Sequence, residues 1–481
     1  MSEENSLKKK TVSNLLWRFF ERVGAQLVAF IVSLILARIL SPEHYGLIAL
    51  VTVVTSILNV FVDSGLGNAL IQKKDADETD FSTVFYANVV FCLFLYLILF
   101  FTASYIAKFY KNEELVPVIK VLGLTLIISG AKNVQQAYVS KHLMFKKFFF
   151  ATLVGTIIAA IIGIYLAIRG LGVWALVAQQ LINLFIDTVI LWIIVPWKPK
   201  LLFSFRALKD LYSFGWKLLV ANLIHTVYLD IRSLVIGRVY SPSDLAFYNQ
   251  GQKFPKFVGS NINSSIDSVL FPVLSEYQDD TVRLKAMTRR AIMTSSFIMW
   301  PLLLGIAGCS RNLVTLVLTE KWLPCIPYLI IACFEFGLEP LQTANINAIK
   351  ALGRTDISLK LEIIKKSIST AIIFISMPFG VLSIAIGSAV YTVIATVLNS
   401  FPNRKLLDYS YFEQVKDILP SFFLALVMSV IVYFLPLFSL PVVLRLFIQF
   451  VTGGLFYISG AVLFKFESLD YMKNLIIRGK K

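Results

Sequence analysis

The sequence predicts an all-α polytopic membrane protein of fourteen transmembrane helices, and three observations carry that prediction. Of 481 residues, 57% are hydrophobic and only 15% are charged; with a mean hydropathy of +0.75 the chain is too apolar for one soluble core. Apolar runs of spanning length recur between residues 14 and 464. The Lys and Arg residues between those runs alternate between dense and sparse from one connection to the next, the pattern that orients helices in a bilayer.

Taken in order, the spans are expected at 14–40, 45–62, 81–105, 116–139, 148–168, 172–195, 212–237, 246–274, 291–313, 325–349, 357–379, 382–401, 418–436 and 441–464. An even number puts both termini on one side. Counting loop cations, twenty-seven fall on that side, from Lys8, Lys9 and Lys10 to Lys480 and Lys481, against seven on the other: Arg38, Lys108, Lys111, Arg169, Arg238, Arg311 and Lys321. Both termini are therefore expected in the cytoplasm. The resulting organisation is a cytoplasmic tail (1–13), a first lobe (14–196), a basic connector (197–211), a second lobe (212–401), a further connector (402–417), a closing helix pair (418–464) and a cytoplasmic tail (465–481).

No connector is long enough to fold alone, so function is expected inside the bundle. The net charge of +16 is explained by topology, and no nucleic-acid partner is implied. The first apolar run is too long and too charged for a cleaved signal peptide. Cys92, Cys309, Cys325 and Cys333 lie in or beside apolar runs without metal or redox spacing, and His44, His142 and His225 are scattered, so no metal or cofactor is expected.

An internal repeat divides the chain. Residues 37–45, ARILSPEHY, return as 237–245, GRVYSPSDL, with Arg38, Ser41 and Pro42 aligned to Arg238, Ser241 and Pro242. Asp63-Ser64 before an acidic loop is echoed by Asp267-Ser268 before another. Ser-Pro is ordinary helix punctuation, but two echoes in the same order point to a real repeat. The unit is six spans, so the lobes are expected to be parallel, related by a pseudo-two-fold along the membrane normal.

Charges inside spans cost about 2.5–3.5 kcal/mol each on insertion scales and need a reason. At 100° per residue, Arg18, Glu21, Arg22 and Gln26 share one face of the first span, opposite Leu16, Phe20, Val23 and Leu27. For Arg18 a second reading stays open, in which it snorkels to the surface and pairs with Glu21. The seventh span aligns Lys217, His225, Tyr228 and Arg232; the eighth aligns Asn249, Gln250, Lys253, Lys256 and Asp267. His225 alone also fits an interhelical hydrogen bond. The surplus on these faces is basic, which favours an anionic passenger such as a phosphate, with amides and hydroxyls beside it suited to sugar. Lys132, Gln135, Gln136, Asp187, Asp230, Glu335, Glu339, Gln342, Asn345, Lys365 and Lys366 are further intramembrane polar groups, several of which are expected to pair.

LARILSPEHYGLIAL (36–50), FVDSGLGNALIQ (61–72), LDIRSLVIGRV (229–239), VLFPVLSEYQDD (269–280), EKW (320–322) and ALGRTD (351–356) run in order through the first twelve spans. On these residues the chain resembles the polysaccharide-export branch of the multidrug/oligosaccharidyl-lipid/polysaccharide (MOP) flippase superfamily, the Wzx and WzxC-like flippases. The resemblance implies a MATE-like fold and transfer of undecaprenyl-diphosphate-linked oligosaccharide units across a bacterial cytoplasmic membrane by alternating access of two lobes. It further implies that Arg18, Arg22, Lys253 and Lys256 meet the diphosphate, and that the last two spans form a groove for the lipid tail. Ala246-Phe247 and Arg232 depart from the family's usual pattern, and Arg232 alters the cavity charge.

Three other readings compete. A drug antiporter of the same superfamily would want acidic rather than basic cavity residues. A membrane-embedded polymerase or ligase would need a sizeable outer loop with catalytic groups, and the outer connections are short. A passive scaffold leaves the polar stripes unexplained. The expectation is therefore a non-enzymatic, monomeric transporter, near polymerase and export machinery and in contact with membrane lipids. Coupling to H⁺ or Na⁺ stays open among Glu21, Asp63, His225, Asp230 and Asp267.

Overall fold

The computed structural model of the protein describes residue 24 and residues 26–63, 65–435 and 440–478, with the side chains of all of these except 63, 214 and 474–478. Among the described residues every regular element is a helix. The chain separates into two compact units, residues 1–246 and 247–481.

The first unit contains α1 (Gln26–Ile39), then α2 (Pro42–Asp63), α3 (Leu66–Gln72), α4 (Glu78–Phe109), α5 (Leu115–Leu122), α6 (Leu124–Lys141), α7 (Phe145–Ile168), α8 (Val173–Ile194) and α9 (Phe205–Val239). The helix α10 (Pro242–Glu276) leads into the second unit. There follow α11 (Thr281–Gly308), α12 (Ser310–Val317), a 3₁₀ turn at Glu320–Cys325, α13 (Ile326–Gly337), α14 (Glu339–Ala351), α15 (Thr355–Ser376), α16 (Val381–Ser400), α17 (Asn403–Leu406), α18 (Tyr411–Phe434), α19 (Val442–Leu463) and α20 (Glu467–Arg478).

Eleven helical stretches among the described residues are long and apolar enough to cross a membrane, so the chain is a multi-pass membrane protein. The three expected spans outside that number also coincide with helices. The described part of the first is the shorter α1. The other two, α10 and α15, are diluted by polar side chains such as Asn249, Lys253 and Lys256 in one and Glu362, Lys365 and Lys366 in the other. In α15 those charges answer one another, Lys365 Nζ lying 3.0 Å from Glu362.

Local chemistry explains where the helices begin and end. Each Ser-Pro turn starts a helix with Pro in the first turn, where its missing N–H costs nothing. Ser241 Oγ accepts from the Asp244 amide at 3.1 Å while the Asp244 carboxylate accepts from the Ser241 amide at 3.1 Å, a reciprocal capping box. Ser41 Oγ is 3.0 Å from His44 Nδ1 in the other copy. The acidic loop before α4 is helix-start chemistry too: Asp77 and Asp80 form a capping box, and Asp80 pairs with Lys73 at 2.5 Å. Loop cations close the opposite ends, with Lys141 Nζ donating to the Leu70 carbonyl at 3.0 Å and Lys147 Nζ to the Ile194 carbonyl at 2.6 Å, satisfying carbonyls that helix C-termini leave free.

Packing in the first unit brings the two Ser-Pro turns together: a Cβ on Gly46 would lie 1.9 Å from the Pro242 carbonyl oxygen. At the far end of α2, Gly65 has φ +88°, and a Cβ there would meet the Gly215 carbonyl oxygen at 2.2 Å. Helices α2 and α9 are thus held by backbone-to-backbone approach at both ends, which fixes the space between them. Phe81, Val134, Phe148, Leu191 and Trp197 fill the core nearby. In the second unit Trp300 is buried against Met428, Leu424 and Tyr457. Outward faces, such as Val90, Phe94, Leu97 and Phe101 of α4, leave large apolar side chains exposed, as a bilayer-covered surface requires.

Candidate functional site

Four helices of the first unit turn aligned polar side chains toward one another. Helix α2 presents Thr52, Thr55, Ser56 and Asn59; α6 presents Thr125, Ser129, Lys132 and Gln136; α8 presents Gln180; α9 presents Asn222, His225 and Thr226. Their spacings of three, four and seven residues place each set on one helical face. Together with Val60 and Leu184 they line a cleft of about 670 Å³. Polar side chains are placed at such cost inside an apolar bundle only where they meet each other, water or a passenger.

Hydrogen-bond accounting separates the structural groups from the available ones. Thr125 donates to the Leu122 carbonyl at 2.6 Å and Thr55 to the Val51 carbonyl at 3.1 Å, so both hydroxyls are engaged with their own helices. Ser56 donates to Asp230 at 2.7 Å, joining α2 to α9. Lys132 Nζ lies 2.5 Å from Asp187 Oδ2, both partners being about nine-tenths buried at 13% and 9% exposure. That ion pair neutralises the Lys132 charge. Asn59 Oδ1 and Asp187 Oδ1 are enclosed without a hydrogen-bond donor among the described residues. Nor, among those residues, does any hydrogen bond reach the side chains of Gln136, Gln180, Asn222 or His225.

The residues singled out in the sequence are distributed as follows. Arg18, Glu21 and Arg22 lie outside the described residues, as does the side chain of Asp63. Gln26 is exposed on α1 and is not part of the cleft lining. On α9, His225 lines the cleft and Asp230 is engaged by Ser56; Lys217 is exposed, Tyr228 and Arg232 are half-buried, and none of the three lines it. On α10, Lys256 is exposed and Asn249 and Lys253 are half-buried, while Gln250 is buried at 3% exposure. Asp267 accepts from Asn347 at 2.8 Å. Lys256 stands within electrostatic reach of Glu339, which also feels Glu335, so the basic character of this stripe is partly offset inside the second unit.

Sequence reasoning missed Thr52, Ser56, Asn59, Gln180 and Asn222. It weighted charge, and these groups are neutral. The signal was nonetheless present: Thr52, Thr55, Ser56 and Asn59 recur at helical spacing within an otherwise apolar span.

A second cavity, of about 690 Å³, lies between α10 and α11. Its Ser265 and Ser295 hydroxyls donate to the Asn261 and Ala291 carbonyls of their own helices at 2.8 and 2.6 Å. What remains facing that space is chiefly Ile262, Ile266, Val269, Leu270 and Val273, a lining suited to hydrocarbon.

Known proteins share both sequence and fold with this chain. It is 25% identical to the lipopolysaccharide biosynthesis protein WzxC of Escherichia coli K12, over 89% of this chain and 88% of that one. It is likewise 25% identical to the teichuronic acid biosynthesis protein TuaB of Bacillus subtilis 168, over 94% and 95%. Among solved structures, the lipid II flippase MurJ in an inward closed conformation superposes with a TM-score of 0.74 at 15% identity, over 94% of this chain and 98% of that one. An inward-facing multidrug-resistance MATE transporter of the MOP superfamily gives 0.60 at 15% identity, over 80% and 94%. The fold is that of MOP transporters. Residues 35–327, more than half of the sequence, match the family described as polysaccharide biosynthesis protein, and the chain belongs to that family.

Proposed function

We infer that the protein is a flippase that moves lipid-linked oligosaccharides across a bacterial cytoplasmic membrane for surface polysaccharide assembly. The observation that carries this reading is the polar cleft set inside a membrane-spanning bundle, in a chain whose family is described as polysaccharide biosynthesis protein. Relatives point the same way: ExoT of Rhizobium meliloti, 22% identical over 73% of this chain and 71% of that one, is a succinoglycan biosynthesis transport protein. The drug-antiporter reading has likeness of fold alone behind it.

The finer architecture belongs to the same proposal. Fourteen spans form two parallel six-helix lobes plus a closing pair, with both termini cytoplasmic. Two features support the repeat. The two Ser-Pro turns use related cap chemistry, and the fourth span of each half is broken midway, at Gly123 between α5 and α6 and at Leu338 between α13 and α14. Pro340 accounts for the second break, since it can neither donate to the preceding turn nor fit inside it. Alternating access exposes the passenger first inward, then outward, while the polyprenyl tail stays in lipid; no bond is made or broken. Arg18, Arg22, Lys253 and Lys256 hold the diphosphate, because a desolvated phosphate recovers its lost hydration from Lys and Arg donors. The transporter works as a monomer, driven by H⁺ or Na⁺ through one or more of Glu21, Asp63, His225, Asp230 and Asp267.

Complementation tests the reading. Bacterial strains each lacking one flippase regain surface glycan when the chain is expressed, and Arg22→Ala or Lys253→Ala abolishes that export at unchanged membrane levels. Absence of export in every strain overturns the function. Full export by both variants removes the cationic residues from it.

A further inference from the structure

We propose that the cleft of the first unit is the glycan subsite of the transporter, reading the hydroxyl groups of uncharged sugars. The proposal rests on the flippase reading and deepens it: sugar and diphosphate are recognised by separate groups.

Charge is the first argument. Lys132 is the one fixed cation in the cleft lining among the described residues, and Asp187 neutralises it at 2.5 Å. A diphosphate entering here would lose its hydration without gaining an unpaired Lys or Arg from the described lining residues, which is unfavourable. An uncharged sugar faces no such penalty.

Hydrogen-bond character is the second. Gln136, Gln180 and Asn222 have amides that each offer donors and an acceptor, and no described residue engages them. A sugar hydroxyl both donates and accepts, so it matches an amide on either side. Asn59 lines the same cleft, but its Oδ1 is enclosed, so the amides open to a guest are those of Gln136, Gln180 and Asn222.

Size and contrast complete the case. A volume of about 670 Å³ falls within the ordinary range of small-molecule sites, about 300–1,000 Å³. The other large cavity, between α10 and α11, is of similar volume at about 690 Å³, but its serine hydroxyls are engaged with their own helices. The second cavity is lined chiefly by apolar side chains such as Ile262, Ile266, Val269 and Leu270, so the character of the lining distinguishes the two, and size does not.

The test uses the full-length chain in cells lacking their own flippase. Two repeat units are supplied on the same polyprenyl diphosphate with the same first sugar, differing only in outer sugars, and surface glycan is measured alongside the membrane level of each variant. Losing one neutral hydrogen bond lowers export of the affected glycan about 3- to 10-fold. Gln136→Ala, Gln180→Ala and Asn222→Ala are expected to do so for one glycan more than the other, changing their ratio by at least about threefold. Gln180→Glu, which keeps the shape but withdraws the donors, shifts the ratio as Gln180→Ala does. If Gln136→Ala fails to accumulate, Asn222→Ala, which is exposed toward the cleft, carries the comparison. Equal loss of both glycans, or no change in any variant, overturns the subsite while leaving the flippase reading intact. Export of neither glycan by the unaltered chain overturns the flippase reading and the subsite with it.

Discussion

At the scale of single residues, the Lys132–Asp187 pair shows what burial demands. Asp187→Asn leaves a cation without its partner among apolar helices, and breaking a buried pair costs about 3–5 kcal/mol. Replacing both, as Lys132→Met with Asp187→Leu, removes the desolvation cost together with the attraction and is expected to restore most of that stability. Thermal unfolding of the three detergent-solubilised variants checks this, and a double variant no more stable than the single one contradicts it. Gly46 makes a steric case. Its Cβ would fall 1.9 Å from the Pro242 carbonyl oxygen, and backbone cannot step aside as a flexible side chain would, so Gly46→Ala is expected not to accumulate in the membrane. Gly454→Ala is the control, because nothing lies within 4 Å of its added methyl, and alanine in a helix interior is favoured by about 0.5–1 kcal/mol. Equal membrane levels of the two variants would show that the Ser-Pro turns tolerate separation.

At the scale of elements, helices were readable because a bilayer-spanning run must be apolar along its whole length, and α4, α7 and α18 announce themselves in that way. Span ends were readable from caps, as at Ser41-Pro42 and Asp77. The breaks at Gly123 and Leu338 were not, since one glycine or one proline inside an apolar run is compatible with a continuous span. The cleft was legible only in part. His225, Lys132 and Gln136 stood out as costly groups, whereas Thr52, Asn59 and Gln180 are cheap enough individually to pass as filler. Their meaning appears only when four helices bring them to one space. The C-terminal helix α20 offers an element-scale prediction. Arg289 of α11 donates to Asp417 of α18 through two nitrogens at 2.9–3.0 Å and to Glu467 of α20 at 3.2–3.3 Å. Tyr409 also donates to Asp417, at 2.7 Å, and burial together with this bond raises the Tyr409 phenol well above its usual range. Asp417 is the buried hub at 14% exposure, whereas Glu467 is 63% exposed. Asp417→Asn is therefore expected to loosen the α11–α18 seam, on whose core Leu469 and Met472 of α20 pack, and so to hasten proteolysis of α20, with Glu467→Gln changing it little, because an exposed pair contributes about 1 kcal/mol at most. Limited digestion of membranes compares them, and equal sensitivity would remove Asp417 from its place as hub.

At the scale of the whole molecule, orientation rests on the asymmetry of loop cations, twenty-seven against seven, and several of those cations also close helix ends, as Lys141 and Lys147 do. Topology and helix stability therefore draw on the same residues. On the proposed orientation this gives the positive-inside pattern a local as well as a global cause, because a lysine on the cation-rich side also satisfies carbonyls at the helix end beside it. Orientation can be tested directly because the native cysteines Cys92, Cys309, Cys325 and Cys333 are all buried, leaving them silent toward a membrane-impermeant thiol reagent. Leu171→Cys, in the turn between α7 and α8 where the side chain is 45% exposed, is expected to react in intact cells. Lys200→Cys, in the connector before α9 where the side chain is 61% exposed, is expected to react only after the membrane is opened. The reverse pattern would invert the protein and place the cations proposed to hold the diphosphate at the wrong leaflet for loading. Labelling of both in intact cells would mean that the chain crosses the bilayer an odd number of times fewer or more than expected between residues 171 and 200, and the six-span repeat would fall with it.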